Sequence, residues 1–308
     1  MKKYFLTLIL CILVFPINAL GENDNNYKIF FSEVRTSDTG ADYLGTKYYI
    51  YDIKNKSRQE IINRYLANVC YDTPKILLGF NYIYFFTKEK NKQYACLLNI
   101  QNNTKEVFYE VPLKSSGLIA SNNLKYMAFY RYINEDDWKS QKIFLLDLMS
   151  KQILQITNNN VPDYDPIFSK DGESLFFLEK ILSEKNAMKT ILKCYQIDKK
   201  QTTNLKVFPD SGYRLFQCLN NGEVLMARKD KGGIPFRLNL QTGKMTDLNI
   251  DRISDISISP DEKKMVYLQY MGYEDSAWDV FISDIDGKNV QKIPNVRNID
   301  IMAPQWVL

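Results

Sequence analysis

A hairpin recurs along this chain, and its spacing limits the fold more than any other feature. The clearest copy spans residues 162–178 and reads P-D-Y-D-P-I-F-S-K-D-G-E-S-L-F-F-L. Pro166, Ile167 and Phe168 alternate like a buried strand, and residues 169–172 supply a tight turn. Asp171-Gly172 suits that turn, because Gly adopts positive φ freely and Asp bonds back to nearby backbone. The apolar run 175–178 then reads as a strand covered on both faces. Aligning second strands on Ile83, Met127, Leu175, Val224 and Met265 gives a period of about 41 to 49 residues. This is the period of a four-stranded propeller blade; sandwiches and barrels show no such super-period. One blade cannot bury both faces of its own sheet, so the copies must stack around an axis.

In chain order, the first unit offers strands at 27–34, 47–53 and 57–62, with a loop at 35–46 that includes Asp42 and Tyr43. Fuller units follow at 74–111, 117–156, 162–208, 214–250 and 253–293. The ends complete the pattern. Residues 298–308 read as the first strand of a further copy, whereas the N-terminal unit lacks that strand. The tail is therefore expected to pair with the head, giving a single domain at 22–308 of six four-stranded antiparallel blades. Closure would bond two otherwise exposed sheet edges. The alternative leaves the last strand on the edge of an open sheet.

Written as D-x-x-P-x-[FW]-S-x-D-G, the repeat resembles that of TolB-like propellers. Asp163, Pro166, Phe168, Ser169, Asp171 and Gly172 carry the resemblance in the fourth unit. Asp255, Ser259, Pro260 and Asp261 carry it in the sixth, and Pro304 and Trp306 at the C-terminus. A later D-x-x-x-G element is represented by Asp284, Asp286 and Gly287. The resemblance implies an all-β, six-bladed, exported scaffold that binds other proteins. TolB also carries a separate N-terminal α/β domain, for which this chain is expected to have no room.

Composition narrows the chemistry. Histidine is absent from all 308 residues, which removes Ser-His-Asp and Cys-His catalysis, H-E-x-x-H metal sites and any His general base. Lys2 and Lys3 precede an apolar run at 4–17, and Ala19-Leu20-Gly21 supplies small residues for cleavage. Residues 1–21 thus read as a signal peptide, too short for a membrane span, and the mature chain is expected to be periplasmic or secreted. Losing Lys2 and Lys3 lowers the formal charge from +4 to +2, so nothing points to nucleic acid. Cys70, Cys96, Cys194 and Cys218 remain; they form up to two disulfides or stay as buried thiols. No C-x-x-C occurs, and no cofactor is expected.

Binding residues gather on long loops held by a rigid scaffold, here the loops between second and third strands. Two of these share a composition. Tyr132, Glu135, Asp136, Asp137 and Trp138 lie in the third blade, and Tyr270, Tyr273, Glu274, Asp275 and Trp278 in the sixth. Rings beside carboxylates suit a protein or peptide partner with basic groups, in the cell envelope. The competing reading has both tryptophans starting a third strand and packing inward. Glu135, Asp136 and Asp137 lack the spacing of a calcium loop, so no metal is expected. A catalytic alternative is a carbohydrate hydrolase with paired carboxylates at the axis, drawn from Asp163, Asp165, Asp255 and Asp300. Their recurrence argues instead for a structural role, and the chain is expected not to be an enzyme.

Overall fold

The computed structural model describes residues 28–36, 43–62, 66, 74–77, 82–134, 137–182, 188–210, 212–228, 233–271, 278–293 and 300–307. In chain order the strands are β1 (Lys28–Thr36), β2 (Tyr43–Asp52) and β3 (Ser57–Glu60), then β4 (Lys75–Leu77), β5 (Tyr82–Glu89), β6 (Lys92–Asn99) and β7 (Thr104–Val111). The third and fourth groups are β8 (Ser115–Ala120), β9 (Tyr126–Tyr132), β10 (Gln141–Asp147) and β11 (Ile153–Gln155), then β12 (Asp163–Phe168), β13 (Ser174–Leu182), β14 (Met188–Gln196) and β15 (Gln201–Phe208). The fifth and sixth are β16 (Tyr213–Cys218), β17 (Glu223–Arg228), β18 (Ile234–Asn239) and β19 (Met245–Asp247), then β20 (Ile253–Ile258), β21 (Lys264–Tyr270), β22 (Trp278–Asp284) and β23 (Gln291–Lys292). The chain's last strand is β24 (Asp300–Val307).

These strands form six four-stranded antiparallel sheets, a six-bladed β-propeller. Five sheets take four successive strands each; the sixth runs β24-β1-β2-β3. Innermost strands of neighbouring blades touch in sequence around the axis, β8 with β12, β12 with β16, β16 with β20, β20 with β24 and β24 with β4. Apolar packing follows the same plan, with one buried cluster filling each gap between blades. Phe86, Phe129 and Phe144 pack between the second and third, Phe208, Tyr213 and Phe236 between the fourth and fifth. This is why the central strands read as unbroken apolar runs. Leu175, Phe176, Phe177 and Leu178 are all buried, because a blade is covered on both faces. Outermost strands are short or polar; β15 is exposed along nearly its whole length, which blunts the free edge.

The hairpin turn is built from its own side chains. Ser169 Oγ donates to Asp171 Oδ1 at 2.6 Å, and the Ser174 and Glu173 amides donate to Ser169 Oγ and Asp171 Oδ1 at 2.9 Å each. Gly172 takes φ +75°, as the turn requires. Ser259 and Asp261 repeat the device in the sixth blade, and Ser121 with Asn123 in the third.

Between β24 and β1, Ile29 lies opposite Trp306 and Phe30 opposite Gln305. Trp306 is fully buried, and its Nε1 donates to Ser257 O of the sixth blade at 2.9 Å. On the other side, Gln305 Oε1 accepts from Ile76 N at 2.7 Å and its Nε2 donates to Pro74 O at 3.3 Å. Two adjacent residues therefore bind the first blade to both neighbours.

Some local expectations need correcting. The loop expected at 35–46 is shorter, because β1 continues to Thr36 and β2 begins at Tyr43. Asp42 lies outside the described residues. Among the cysteines, Cys194 and Cys218 are free thiols whose pKa is raised by burial, and Cys96 is fully buried. Cys70 and the signal segment 1–21 also lie outside the described residues. No described helix is long and apolar enough to cross a membrane.

Candidate functional site

The two loops singled out by composition diverge in the structure. In the third blade a single 3-10 turn, Trp138–Ser140, follows Asp137, whose side chain accepts from Lys139 N at 2.9 Å. Ser140 Oγ donates to Asn134 O at 2.6 Å and to Asp137 O at 2.7 Å, while Asn134 N donates back to Ser140 Oγ. The loop is thereby stapled, and Trp138 stands 47% exposed upon it. Asp137 caps the turn, so its carboxylate is engaged within the loop. Tyr132 is half-buried at the end of β9, opposite Gln141. Glu135 and Asp136 lie outside the described residues.

In the sixth blade Trp278 opens β22 and packs inward. Its ring meets Tyr270 with centroids 5.3 Å apart, and it joins the cluster between the sixth and first blades. Tyr273, Glu274 and Asp275 lie outside the described residues. The third and sixth blades face each other across a six-membered ring, which places Trp138 and Trp278 on opposite sides.

What surrounds Trp138 comes from blades the sequence did not connect. A recess of about 280 Å³ is lined by Trp138, Tyr130 and Gln141 of the third blade, Pro162, Tyr164, Asp165 and Lys180 of the fourth, and Tyr213 and Arg214 of the fifth. Lys180 Nζ lies 4.8 Å from the Tyr164 ring centre, a cation–π contact. Burial pushes the Tyr164 hydroxyl well above the ordinary tyrosine range. Sequence reasoning missed Tyr130, Tyr164, Lys180, Tyr213 and Arg214, which lie at inner-strand starts and second-strand ends, all opening on the loop face.

Tyr130, Asp165 and Arg214 also line the axial channel, a cavity of about 400 Å³ that reaches Lys75, Lys170, Gln217 and Ser257. They form the neck between channel and recess. Gly117, at φ +67°, makes room for Tyr130, since a Cβ there would overlap the tyrosine ring. Asp165 sits at φ +48° where β12 slips register against β13, a bulge that turns its side chain toward the axis. Arg214 Nε donates to Asp165 Oδ2 at 2.6 Å, and Leu215 N donates to the same oxygen at 3.3 Å. The Asp165 carboxylate, and after it Asp255, hold Arg214 above its ordinary pKa.

Of the four acids considered for catalysis, Asp165 and Asp255 line the channel, and both act on Arg214. Asp163 is fully buried inside its blade, beside Glu179 across the strand pair. The side chain of Asp300 lies outside the described residues. Asp165 and Asp255 each precede the turn serine by four residues, whereas Asp163 falls two positions earlier. The recurrence read from the sequence therefore holds for one pair only. No cluster of three metal-ligating side chains occurs among the described residues.

No protein-family profile matches the chain, and no curated protein matches it. Solved structures do match. TolB from Acinetobacter baumannii aligns with TM-score 0.71 and 16% identity, over 92% of this chain and 67% of that one. A putative TolB from Agrobacterium tumefaciens aligns with TM-score 0.59 and 13% identity, over 87% and 88%. An oligogalacturonate lyase in complex with manganese aligns with TM-score 0.55 and 12% identity, over 80% and 70%. With six closed blades and these likenesses, the fold is that of a TolB-like β-propeller.

Proposed function

We propose that this chain is an exported, non-catalytic propeller scaffold that holds a protein or peptide partner at the loop-side mouth of its axial channel. The observation that carries this reading is Trp138. It stands half-exposed on a stapled turn, beside a recess ringed by three tyrosines, Lys180 and Arg214. Tyr, Trp and Arg dominate binding energy at protein interfaces, because they bring large area at low entropic cost. A rigid mount lowers that cost further. Export to the periplasm or beyond rests on the leader at 1–21, and the likeness to TolB structures supports it.

Some structural neighbours are enzymes, the lyase among them. A paired-carboxylate hydrolase needs one acid that keeps its proton and faces the substrate. In the channel Asp165 is committed to Arg214, and Asp163, whose pKa is raised, is buried away from the cavity. This favours the binding reading.

Affinity capture from an envelope fraction, followed by direct titration of the recovered partner, tests it. Trp138→Ala should weaken binding by a factor of ten or more, in line with a hot-spot loss of about 2 kcal/mol. Equal affinity of both forms for every partner overturns the choice of surface.

A further inference from the structure

Beneath the recess, between the third and fourth blades, lies a buried charged cluster. Asp163 is 0% exposed, with Glu179 and Lys142 at 5% each. Glu179 Oε2 accepts from Lys193 Nζ at 2.6 Å and from the Asn159 amide. Asp163 is held less well. Its Oδ1 takes a long 3.4 Å bond from Asn159, and its Oδ2 is buried without a hydrogen-bond partner, the Lys142 ammonium being 3.9 Å away.

Lys142 is engaged elsewhere. Its Nζ donates to Val161 O at 2.6 Å and to Lys139 O and Gln141 O at 3.1 Å each. Those carbonyls belong to the turn that carries Trp138 and to the connection leading into Pro162. One buried ammonium therefore ties both walls of the recess while standing just short of a poorly paired carboxylate.

We propose that this cluster is a proton-operated latch, in which protonated Asp163 leaves Lys142 on the three carbonyls and ionised Asp163 draws it away, releasing the Trp138 turn. The proton passes to bulk water, and no bond other than O–H breaks. Physical chemistry sets the direction. A fully buried ionised carboxylate with one oxygen unpaired is costly, while attraction to an ammonium nearby strengthens as the dielectric falls. The charged groups acting on Asp163 are Glu179 on β13 and Lys142 on β10; Lys193 on β14 pairs with Glu179, and Asp137 acts on Lys142 from the turn. Burial, with Glu179 adding repulsion, raises Asp163 to about 6, against the hydrogen bonds from Thr157 and Asn159 and the pull of Lys142. The latch would thus work near neutrality, whatever occupies the recess.

The test needs no partner. Acrylamide quenching of Trp138, taken as wild type minus Trp138→Phe, is followed from about pH 5 to about pH 8. A single transition with its midpoint near 6 is expected, and the transition should be lost in Asp163→Asn, which fixes the neutral form. In Lys142→Met the turn should be released at every pH. Should Asp163→Asn fail to fold, Glu179→Gln serves: removing the like charge should move the midpoint downward. Absence of a transition, or one that persists unchanged in Asp163→Asn or Glu179→Gln, overturns the proposal. So does a wild-type profile in Lys142→Met.

Discussion

The ring uses tryptophan in opposite ways on its two sides. At the seam of the first and sixth blades, Trp306 is fully enclosed and Trp278 leans into the same cluster. At the mouth, Trp138 is lifted out of the core by a turn whose polar side chains bond to its own backbone. The seam must hold a blade whose strands come from the two ends of the chain. There, apolar area and one indole hydrogen bond offset the entropy of bringing those ends together. The mouth has no such task, so local hydrogen bonds can fix an exposed ring at little cost to the core. Similar composition does not imply similar use.

The comparison breaks most readily at Trp306. Trp306→Ala should destabilise the fold by about 3–5 kcal/mol in chemical denaturation, through lost burial and the cavity left behind. A loss below about 1 kcal/mol would mean that the seam does not depend on this ring.

Next comes the pH response beside the mouth. Asp163 has its folded pKa raised to about 6, so the folded state keeps the proton longer than the unfolded chain does. Stability should therefore fall as pH rises from about 4 to about 6, by at most roughly 3 kcal/mol. Asp52, Asp171, Asp284 and Asp286 are shifted downward by local hydrogen bonds and act oppositely, losing stability as pH falls. The difference between wild type and Asp163→Asn across that window isolates the buried acid. A flat difference would remove it as the cause.

Trp278→Ala should cost about 2 kcal/mol, less than Trp306→Ala because the ring is only partly buried. Gly117→Ala should cost about 1–2 kcal/mol, by placing a side chain at positive φ and pushing Tyr130 from the neck. Trp138→Ala should change stability by no more than about 0.5 kcal/mol. Equal losses for Trp138→Ala and Trp278→Ala would erase the contrast between the two sides.

How far the molecule was legible from its sequence follows the range of each interaction. The turn at 169–174 was readable because serine, aspartate and glycine build it within six residues. The buried second strands were readable because a sheet covered on both faces needs unbroken apolar runs, as in 175–178. The recess was not. Tyr130, Tyr164 and Tyr213 stand in three blades, far apart along the chain, and nothing local distinguishes them from other strand-end tyrosines. The difference between Trp138 and Trp278 was likewise hidden, since both follow a tyrosine and an acidic run.

Sequence alone determined the repeat, its hairpins, the absence of histidine chemistry and the number of units that must stack. Those properties are short-range or compositional, and the chain carries them before it folds. Tertiary structure alone decided that Asp165 would meet Arg214 at the neck, that Asp163 would be sealed beside Lys142, and which tryptophan would face water. Each depends on how one blade's edge meets the next around a closed axis, where positions about twenty to fifty residues apart become neighbours.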